Sequence, residues 1–331
     1  MRFLVTGATG FVGNNVVRLL LEHGHSVRVL TRREADLAPL AGLSVETAHG
    51  DIRDAESVRQ AFRNIDVAIH AAGDIHIGWT KLAEQREINV SGTRHVAEAA
   101  LEAGAKLVHV SSVNAIGLGT RERPADEETP IHDVVRCGYV ITKQEAEQVV
   151  LDLVARGLHG VIVNPSFMLG PWDWKPSSGR MLLAVARRFT PIAPKGGVSV
   201  ADVRDVAAGI LAAAERGSPG RRYILAGHNQ TYFELWKLIA RLTGGRPPWM
   251  PAGPLQRIGG AWLGDLLTRI TGREGDLNSA TVRMSTQFHY YDSARARHEL
   301  AYAGRPTEES VTDAWRWLQE HGYVEKTRAD G

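Results

Sequence analysis

A tyrosine and a lysine lie four positions apart in the segment GYVITK, at Tyr139 and Lys143. The segment has a helical pattern, so this spacing places both side chains on one face of the helix. A tyrosine with an ordinary pKa of about 10 is a weak acid–base group at neutral pH, but a nearby ammonium group favours the phenolate and lowers that pKa. The pair therefore predicts a general acid–base role for Tyr139, although the spacing alone also arises by chance.

Two serines, Ser111 and Ser112, follow the strand-like run at residues 107–110. In open α/β folds, ligands bind at the edge formed by the carboxyl ends of the strands. A serine hydroxyl at this edge can hold a substrate carbonyl beside Tyr139. The serine pair therefore favours a functional interpretation of the tyrosine–lysine spacing.

A glycine-rich loop, TGATGFVG, occupies residues 6–13, between the first predicted strand and the first predicted helix. Gly7 and Gly10 allow backbone amides to approach a pyrophosphate, and Gly13 allows the helix to pack closely on the sheet. The spacing is Gly-x-x-Gly-x-x-Gly rather than the more common Gly-x-Gly-x-x-Gly. It predicts a nicotinamide dinucleotide site, and an oxidised nicotinamide would also favour the Tyr139 phenolate. The loop residues predicted to contact the cofactor are Gly7, Thr9, Gly10, Phe11, Val12 and Gly13.

Two arginines, Arg32 and Arg33, end the second predicted strand, where NAD enzymes usually carry an acid that binds the adenosine ribose. A guanidinium group can bind a 2′-phosphate, so the pair predicts NADP(H) as the preferred cofactor, with NAD(H) as the alternative. Arg32 is the stronger candidate, and an ordinary surface pair is the other interpretation. Asp51 is placed to accept from the adenine amino group, with Ile52 beside it, whereas Asp54 is better suited to cap a helix.

Strand-like and helix-like patterns alternate along the first half of the chain, which predicts a Rossmann-type, doubly wound parallel sheet in an α/β fold. Residues 1–166 are predicted to form the dinucleotide-binding domain, to which residues 198–226 return. Residues 167–197 and 227–325 are predicted to form a smaller substrate-binding domain. An apolar stripe at residues 255–270 favours core or lid packing, with a membrane-surface or partner helix as the alternative.

Composition narrows the class of protein further. The 331 residues carry 39 basic and 37 acidic side chains, a balance that argues against a dedicated nucleic-acid binder. A single cysteine, Cys137, excludes an internal disulfide and a cysteine-based zinc site and fits the cytoplasm. No apolar run approaches the roughly 20 residues of a membrane span, and no histidine spacing suits a metal. We therefore expect neither a transmembrane segment nor a metal site.

The motifs TGATGFVG, GDIRD, HAAG, INVSGT, VSSVNAIG, YVITK and NPSFMLGP occur in an order that resembles the extended short-chain dehydrogenase/reductase superfamily. The resemblance implies that Ser112, Tyr139 and Lys143 are catalytic. It also implies a role near the nicotinamide for Asn89, for which a structural amide is the alternative. Further cofactor contacts are implied at Ala71, Ala72, Gly73, Ser111, Asn164, Pro165 and Ser166, in addition to Tyr139 and Lys143.

Within that superfamily, HAAGDIHIGW, RPADEETP and RYILAGHNQT resemble bacterial dihydroflavonol-reductase-like proteins, including those labelled hopanoid-associated sugar epimerases. This resemblance implies an NADP-linked enzyme that interconverts a ketone and a secondary alcohol. A nucleotide-sugar epimerase or dehydratase is the main alternative, and a non-catalytic dinucleotide sensor is a third. The resemblance also implies a homodimer through helices near 81–103 and 137–155. Substrate contacts are expected at Asp74, Trp79, Asn114, Phe167, Met168 and Trp172.

Overall fold

The structure is a computed structural model that describes residues 1–253, 268, 271, 274–275 and 278–324. The strands in this part of the chain are Arg2–Thr6 (β1), Ser26–Thr31 (β2), Glu46–His49 (β3), Val67–His70 (β4), Lys106–Val110 (β5), Gly160–Pro165 (β6), Phe167–Leu169 (β7), Ile192–Ala193 (β8), Gly197–Asp202 (β9), Arg222–Leu225 (β10), His228–Thr231 (β11), Met250–Pro251 (β12) and Phe288–His289 (β13). The α-helices are Phe11–Glu22 (α1), Ala55–Ala61 (α2), Leu82–Gln85 (α3), Gly92–Ala103 (α4), Gly138–Val154 (α5), Gly179–Arg187 (α6), Val203–Arg216 (α7), Tyr232–Thr243 (α8), Ser279–Met284 (α9), Ala294–Leu300 (α10) and Thr307–Glu320 (α11).

Seven parallel strands form the larger sheet, in the order β3, β2, β1, β4, β5, β6 and β10. One face is covered by α1, α7 and α10, and the other by α2, α4 and α5. Strands covered on both faces are apolar along their length, and β4 and β6 are buried at every residue. The doubly wound α/β fold predicted from the sequence is confirmed.

A smaller sheet has β9 at its centre, with β11 antiparallel to it and β7 and β13 parallel to it. Helices α6, α8 and α11 pack their apolar faces against β7 and β9. The stripe at residues 255–270 lies, except for residue 268, outside the described residues. No helix within the described ranges is both long and apolar enough to cross a membrane.

The segment at residues 198–226 divides between the two sheets. From the sequence we expect this segment to return to the larger sheet. Helix α7 packs on the α1 face of that sheet, and β10 pairs with β6 at its edge. Strand β9 departs from that expectation, because only two residues separate β10 from β11, and β11 folds back antiparallel onto β9. Residues 198–202 therefore belong to the smaller sheet, and the domain boundaries stay a prediction.

The long helix expected near residues 81–103 contains an irregularity. A π-helical segment, Arg86–Ser91, joins α3 to α4 and includes Asn89. Such segments widen the helix by one residue per turn and are frequent at functional sites. Here the segment brings the buried Asn89 side chain towards the carboxyl end of β4.

Candidate active site

The glycine loop packs against the carboxyl end of β4. Gly7 has a φ of +73°, and a Cβ there would lie 2.6 Å from the amide nitrogen of Ala72. A Cβ at Gly13 would lie 2.2 Å from the carbonyl oxygen of Gly7. A larger residue at Gly7 would therefore push the loop away from the end of β4, and one at Gly13 would push the first turn of α1 away from the loop. The N-cap of α1 is Gly10, which has no side chain to occupy the helix N-terminus, so the loop fits a dinucleotide pyrophosphate.

A cleft of about 470 Å³ runs along this edge, across the ends of β1, β2 and β4. Its lining includes nine of the predicted cofactor residues: Gly7, Thr9, Gly10, Arg32, Asp51, Ile52, Ala71, Ala72 and Gly73. Phe11, Val12 and Gly13 instead start α1, and Arg33 is exposed outside the cleft lining. These nine predicted residues therefore line one elongated site.

The end of the cleft next to Arg32 contains an arginine, Arg53, that the sequence analysis missed. Arg53 donates from Nε to Oδ1 of Asp51 at 3.1 Å and from Nη2 to Oδ2 at 2.8 Å. The hydrogen bonds from Arg53 lower the pKa of Asp51, and the charge of Arg32 acts in the same direction. The GDIRD motif contains Arg53, so its spacing from Asp51 was the available signal. Asp54 caps α2 by accepting from the amide of Glu56, as expected.

At the other end, Tyr139 and Lys143 lie on α5, and Ser112 follows β5. All three side chains are buried. Burial raises the pKa of Tyr139, whereas hydrogen bonding with the Ser112 side chain opposes that shift. This direction is opposite to the one we predicted from the neighbouring lysine, because in the protein alone the loss of solvent around the phenol dominates.

The Lys143 ammonium group lies where the cleft meets this buried end. Its Nζ donates to the carbonyl oxygen of Val110 at 3.1 Å, and a Cβ at Gly73 would lie 3.7 Å from it. Burial lowers the pKa of Lys143 to about 8, and the negative charge of Glu147 opposes the shift. The lysine can therefore present a positive charge to a ligand that passes over Gly73.

A buried carboxylate, Glu147, organises the loop that carries Ser112. Its Oε1 accepts from Ser111 Oγ at 2.5 Å and from Asn164 Nδ2 at 2.6 Å, and its Oε2 accepts from Arg222 Nε at 2.7 Å. Asn164 Nδ2 also donates to the carbonyl oxygen of Ser112 at 2.9 Å. The side chains of Ser111 and Asn164 are therefore directed to Glu147. Sequence analysis missed Glu147, although it lies one further helical turn beyond Tyr139 and Lys143.

Two further predicted cofactor contacts follow Asn164 in the chain. Pro165 is the last residue of β6, and Ser166 follows it; both are buried. The amide of Ser166 donates to the carbonyl oxygen of Leu225 at 3.2 Å. The hydroxyl of Ser166 has no hydrogen-bond partner among the described residues. Pro165 and Ser166 thus join β6 to β10 next to the Asn164 contact, and their role towards a cofactor stays a prediction.

Asn89 fixes the start of the loop after β4. Its Oδ1 accepts from the amide of Asp74 at 2.7 Å, and its Nδ2 donates to the carbonyl oxygen of the same residue at 3.0 Å. Nδ2 also donates to Oγ1 of Thr142, on α5, at 3.0 Å. Asn89 therefore ties the Asp74 backbone to the helix that carries Tyr139, which matches the structural alternative given for this residue.

His70 ends β4 as a buried histidine. Its Nδ1 lies 2.7 Å from Thr6 Oγ1, and its Nε2 lies 3.0 Å from Thr93 Oγ1. Burial lowers the pKa of His70 to about 3, so the ring is neutral at physiological pH. The described residues contain no cluster of three or more histidine, cysteine or acidic side chains that could hold a metal ion.

A second cavity, of about 390 Å³, adjoins the cleft at Gly73 and Asp74 and is lined also by Ile75, His76, Ile77 and Arg180. Asp74 lines this cavity, and its Oδ1 accepts from the amide of His76 and from Gln85 Nε2. The remaining predicted substrate residues lie elsewhere. Trp79 is exposed, its indole donates to Ser279, and its amide donates to Glu274. Asn114 lines a separate small cavity beside Met284 and Tyr291.

Trp172 packs in an aromatic cluster rather than against the described cavities. Its ring lies against Trp174, Trp317 and His321, with centroids 5.8–6.2 Å apart. The Arg18 guanidinium carbon lies 3.3 Å from its centroid, a cation–π contact that joins α1 to this cluster. Phe167 and Met168 are half-buried residues of β7. The structure shows Trp172, Phe167 and Met168 in structural packing, and their contact with a substrate stays a prediction.

Known proteins are similar to this chain in sequence and in fold. Residues 3–226 match the NAD-dependent epimerase/dehydratase family. A Methylococcus capsulatus protein named sterol demethylase protein B is 35% identical over 98% of this chain and 100% of its own length. A Synechocystis protein named "Putative dihydroflavonol 4-reductase" is 36% identical over 97% of this chain and 96% of its own. The crystal structure of gox2253 is 37% identical, covers 98% of this chain and 99% of its own, and has a TM-score of 0.86.

Proposed function

Because the chain belongs to the NAD-dependent epimerase/dehydratase family of oxidoreductases, we propose that it interconverts a ketone and a secondary alcohol with NADP(H). The family match confirms the resemblance to extended short-chain dehydrogenases/reductases. One observation carries the proposal: Ser112, Tyr139 and Lys143 are buried together where the glycine-lined cleft ends. The name dihydroflavonol 4-reductase, borne by one relative, supports net reduction as the reaction.

A bound nicotinamide cofactor supplies the hydride for reduction of the carbonyl carbon, or accepts it in the reverse direction. The hydroxyls of Ser112 and Tyr139 bind the carbonyl oxygen, and Tyr139 donates its proton to that oxygen as the alcohol forms. The Lys143 ammonium group binds the cofactor ribose and favours ionised Tyr139 after proton transfer. The Asn164–Glu147 contacts hold the backbone of Ser112, and Asn89 holds the backbone of Asp74 in the loop after β4.

The preference for NADP(H) over NAD(H) is supported by the adenosine end of the cleft. Arg32 lines the cleft at the end of β2, and Arg53 lies beside Asp51 on the neighbouring loop. No acidic residue occurs at positions 31–33, where a carboxylate would repel a 2′-phosphate. A guanidinium group at Arg32 provides the charge-assisted hydrogen bonds that a 2′-phosphate accepts.

The substrate is proposed to be an apolar ketone. Two isoleucines, Ile75 and Ile77, line the cavity next to Gly73 beside the polar Asp74 and His76, and one relative is named for sterol demethylation. Arg180 also lines this cavity and provides the charge that a sugar-linked diphosphate would use, so epimerisation of a nucleotide sugar is the competing reaction.

Incubation with NADPH and a panel of apolar ketones and nucleotide sugars separates the two reactions. We expect absorbance of NADPH to fall in step with disappearance of a ketone. Isomerisation of a nucleotide sugar without net consumption of cofactor would instead establish the epimerase. Inactivity towards every ketone and sugar, together with tight cofactor binding, would favour the dinucleotide sensor.

We also propose a homodimer in the cytoplasm, formed through α4 and α5. An exposed ion pair between Arg86 and Glu145 already links the π-helical segment to α5 on this surface. Light scattering should give twice the mass of one chain, and a monomer at micromolar concentration would contradict the dimer. The buried Cys137 and the lack of any second cysteine fit a reducing compartment.

A further inference from the structure

Three large apolar side chains on two neighbouring segments are exposed, and they are distant in the sequence from Tyr139 and Lys143. Phe189 is 39% exposed, Trp249 is 72% exposed and Met250 is 51% exposed. The rings of Phe189 and Trp249 are in edge-to-face contact, with centroids 4.9 Å apart. We call these three residues the aromatic patch. A tryptophan exposed to this degree loses most of the free energy that its burial would provide.

Backbone hydrogen bonds hold the aromatic patch in place. Strand β12, Met250–Pro251, pairs in parallel with β8, Ile192–Ala193. The amide of Trp249 donates to the carbonyl oxygen of Pro191 at 2.8 Å, and the amide of Ala252 donates to that of Ala193 at 2.7 Å. The segment before β8 and the segment that contains β12 therefore hold Phe189 and Trp249 in contact on a fixed scaffold, and Met250 follows Trp249 in the chain.

The two segments that carry the aromatic patch are basic. Residues 187–196 and 244–253 contain four cationic side chains and no aspartate or glutamate, in a chain with nearly equal numbers of both signs: Arg187, Arg188, Lys195 and Arg246. No acidic side chain within the described ranges forms an ion pair with Arg188, Lys195 or Arg246. The segments that carry the apolar side chains thus have four positive charges and no acidic side chain of their own.

Other exposed apolar side chains have different surroundings. Ile75 directly follows Asp74, Ile131 lies two residues before Asp133, and Leu37 directly follows Asp36. Trp79 is exposed, but its amide donates to the carboxylate of Glu274. Among the exposed large apolar side chains that the structure describes, only those of the aromatic patch combine aromatic rings with cations, and no acid, in the same segments.

We propose that the aromatic patch and the basic segments that carry it dock the protein reversibly on an anionic phospholipid surface. Tryptophan side chains favour the membrane–water interface, where the ring is partly buried and its N–H stays hydrated. Arginine and lysine beside such a ring bind lipid phosphates and add attraction to anionic headgroups. A second copy of the chain fits less well, because two identical patches would bring the four cations of each copy together.

The proposal is tested by sedimentation of the full-length protein with vesicles of phosphatidylcholine alone and vesicles in which a quarter of the lipid is phosphatidylglycerol. We expect binding to the anionic vesicles that weakens as salt is added, and little binding to the neutral ones. Each basic side chain close to an anionic surface contributes about a fivefold factor in partitioning. Arg188→Glu combined with Arg246→Glu should therefore reduce binding by roughly 25-fold or more.

Trp249→Ser combined with Met250→Ser should also abolish most of the binding while all four cations remain. The matched controls are Ile131→Ser, an exposed apolar side chain near an acid, and Arg59→Glu, an exposed arginine on α2. Circular dichroism and cofactor binding should be unchanged in every variant, because none of these residues contacts the cleft. Equal binding to neutral and anionic vesicles, absence of binding, or equal loss in the controls would overturn the proposal. A patch-dependent change in mass without vesicles would assign the surface to self-association instead.

Discussion

The two ends of the cofactor cleft are built in different ways. At the proposed catalytic end, Tyr139, Lys143 and Glu147 are buried, and residues on or next to β5, β6 and β10 hold Lys143 and Glu147 by hydrogen bonds. At the adenosine end, Arg32 is exposed, and Arg53 makes its side-chain contacts with Asp51. Burial strengthens electrostatic interactions and shifts pKa values, whereas exposed charges are screened by water. Substitutions should therefore affect turnover strongly at the catalytic end and cofactor selectivity at the other.

The largest effect is expected for Tyr139→Phe. The phenyl ring keeps the packing of the tyrosine but has no proton to donate, so turnover should fall by about 10²-fold or more. Steady-state kinetics with the ketone that the wild-type protein reduces would measure this loss. Calorimetry should give an almost unchanged dissociation constant for NADPH. Full activity of the variant would remove Tyr139 from the mechanism.

A smaller effect is expected at the adenosine end, for Arg32→Ala. A charge-assisted contact with a phosphate contributes about 1.5 to 3 kcal/mol, so NADPH should bind roughly tenfold or more weakly. NADH, which lacks the 2′-phosphate, should bind with nearly unchanged affinity. Arg33→Ala is the matched control, because Arg33 is exposed outside the cleft lining. An unchanged ratio of the two dissociation constants in Arg32→Ala would assign the preference to another residue or reject it.

The smallest effect is expected for Glu147→Gln, which alters the charge at the buried end of the cleft and leaves Ser112, Tyr139 and Lys143 unchanged. Glu147 raises the pKa of Lys143 against the effect of burial, so Glu147→Gln should lower it below its value of about 8. The ammonium group is then lost at a lower pH, and the affinity for NADPH should begin to fall at a lower pH than in the wild type. Fluorescence titration of NADPH across a pH series measures this shift.

Glu145→Gln is the control for that titration. Glu145 lies on the same helix, but its carboxylate pairs with Arg86 at the surface. Its pH dependence should match the wild type. If Glu147→Gln and Glu145→Gln gave the same profile as the unaltered protein, Glu147 would have only a structural role in holding Ser111 and Asn164.

Sequence patterns predict the contacts made within one short segment better than those made between distant segments. The spacing of Gly7 and Gly13 and that of Tyr139 and Lys143 follow from one turn or one helix, so both pairs could be read directly. The contacts of Glu147 join residues 17 to 75 positions away, at Ser111, Asn164 and Arg222, and no local pattern encodes them.

The same reasoning explains which properties of individual side chains the sequence does not reveal. Trp172 follows a motif of the expected active site, but the partners that determine its packing, Trp317 and His321, come from α11 and the residue after it. The direction of the pKa shift at Tyr139 depends on how many atoms exclude water from the phenol, which is a property of the folded packing. The assignment of β9 to the smaller sheet likewise depends on its pairing with β11.

The most direct test of net ketone reduction follows the transferred hydrogen itself. NADPH that carries deuterium at its transferable position is incubated with the protein and a ketone substrate, and the product is analysed by mass spectrometry and NMR. We predict one deuterium on the new carbinol carbon for each NADPH oxidised. In Tyr139→Phe, both the oxidation of NADPH and the formation of the deuterated product should be lost. Oxidation of NADPH without deuterium in the product, or isomerised substrate with the cofactor unconsumed, would contradict it.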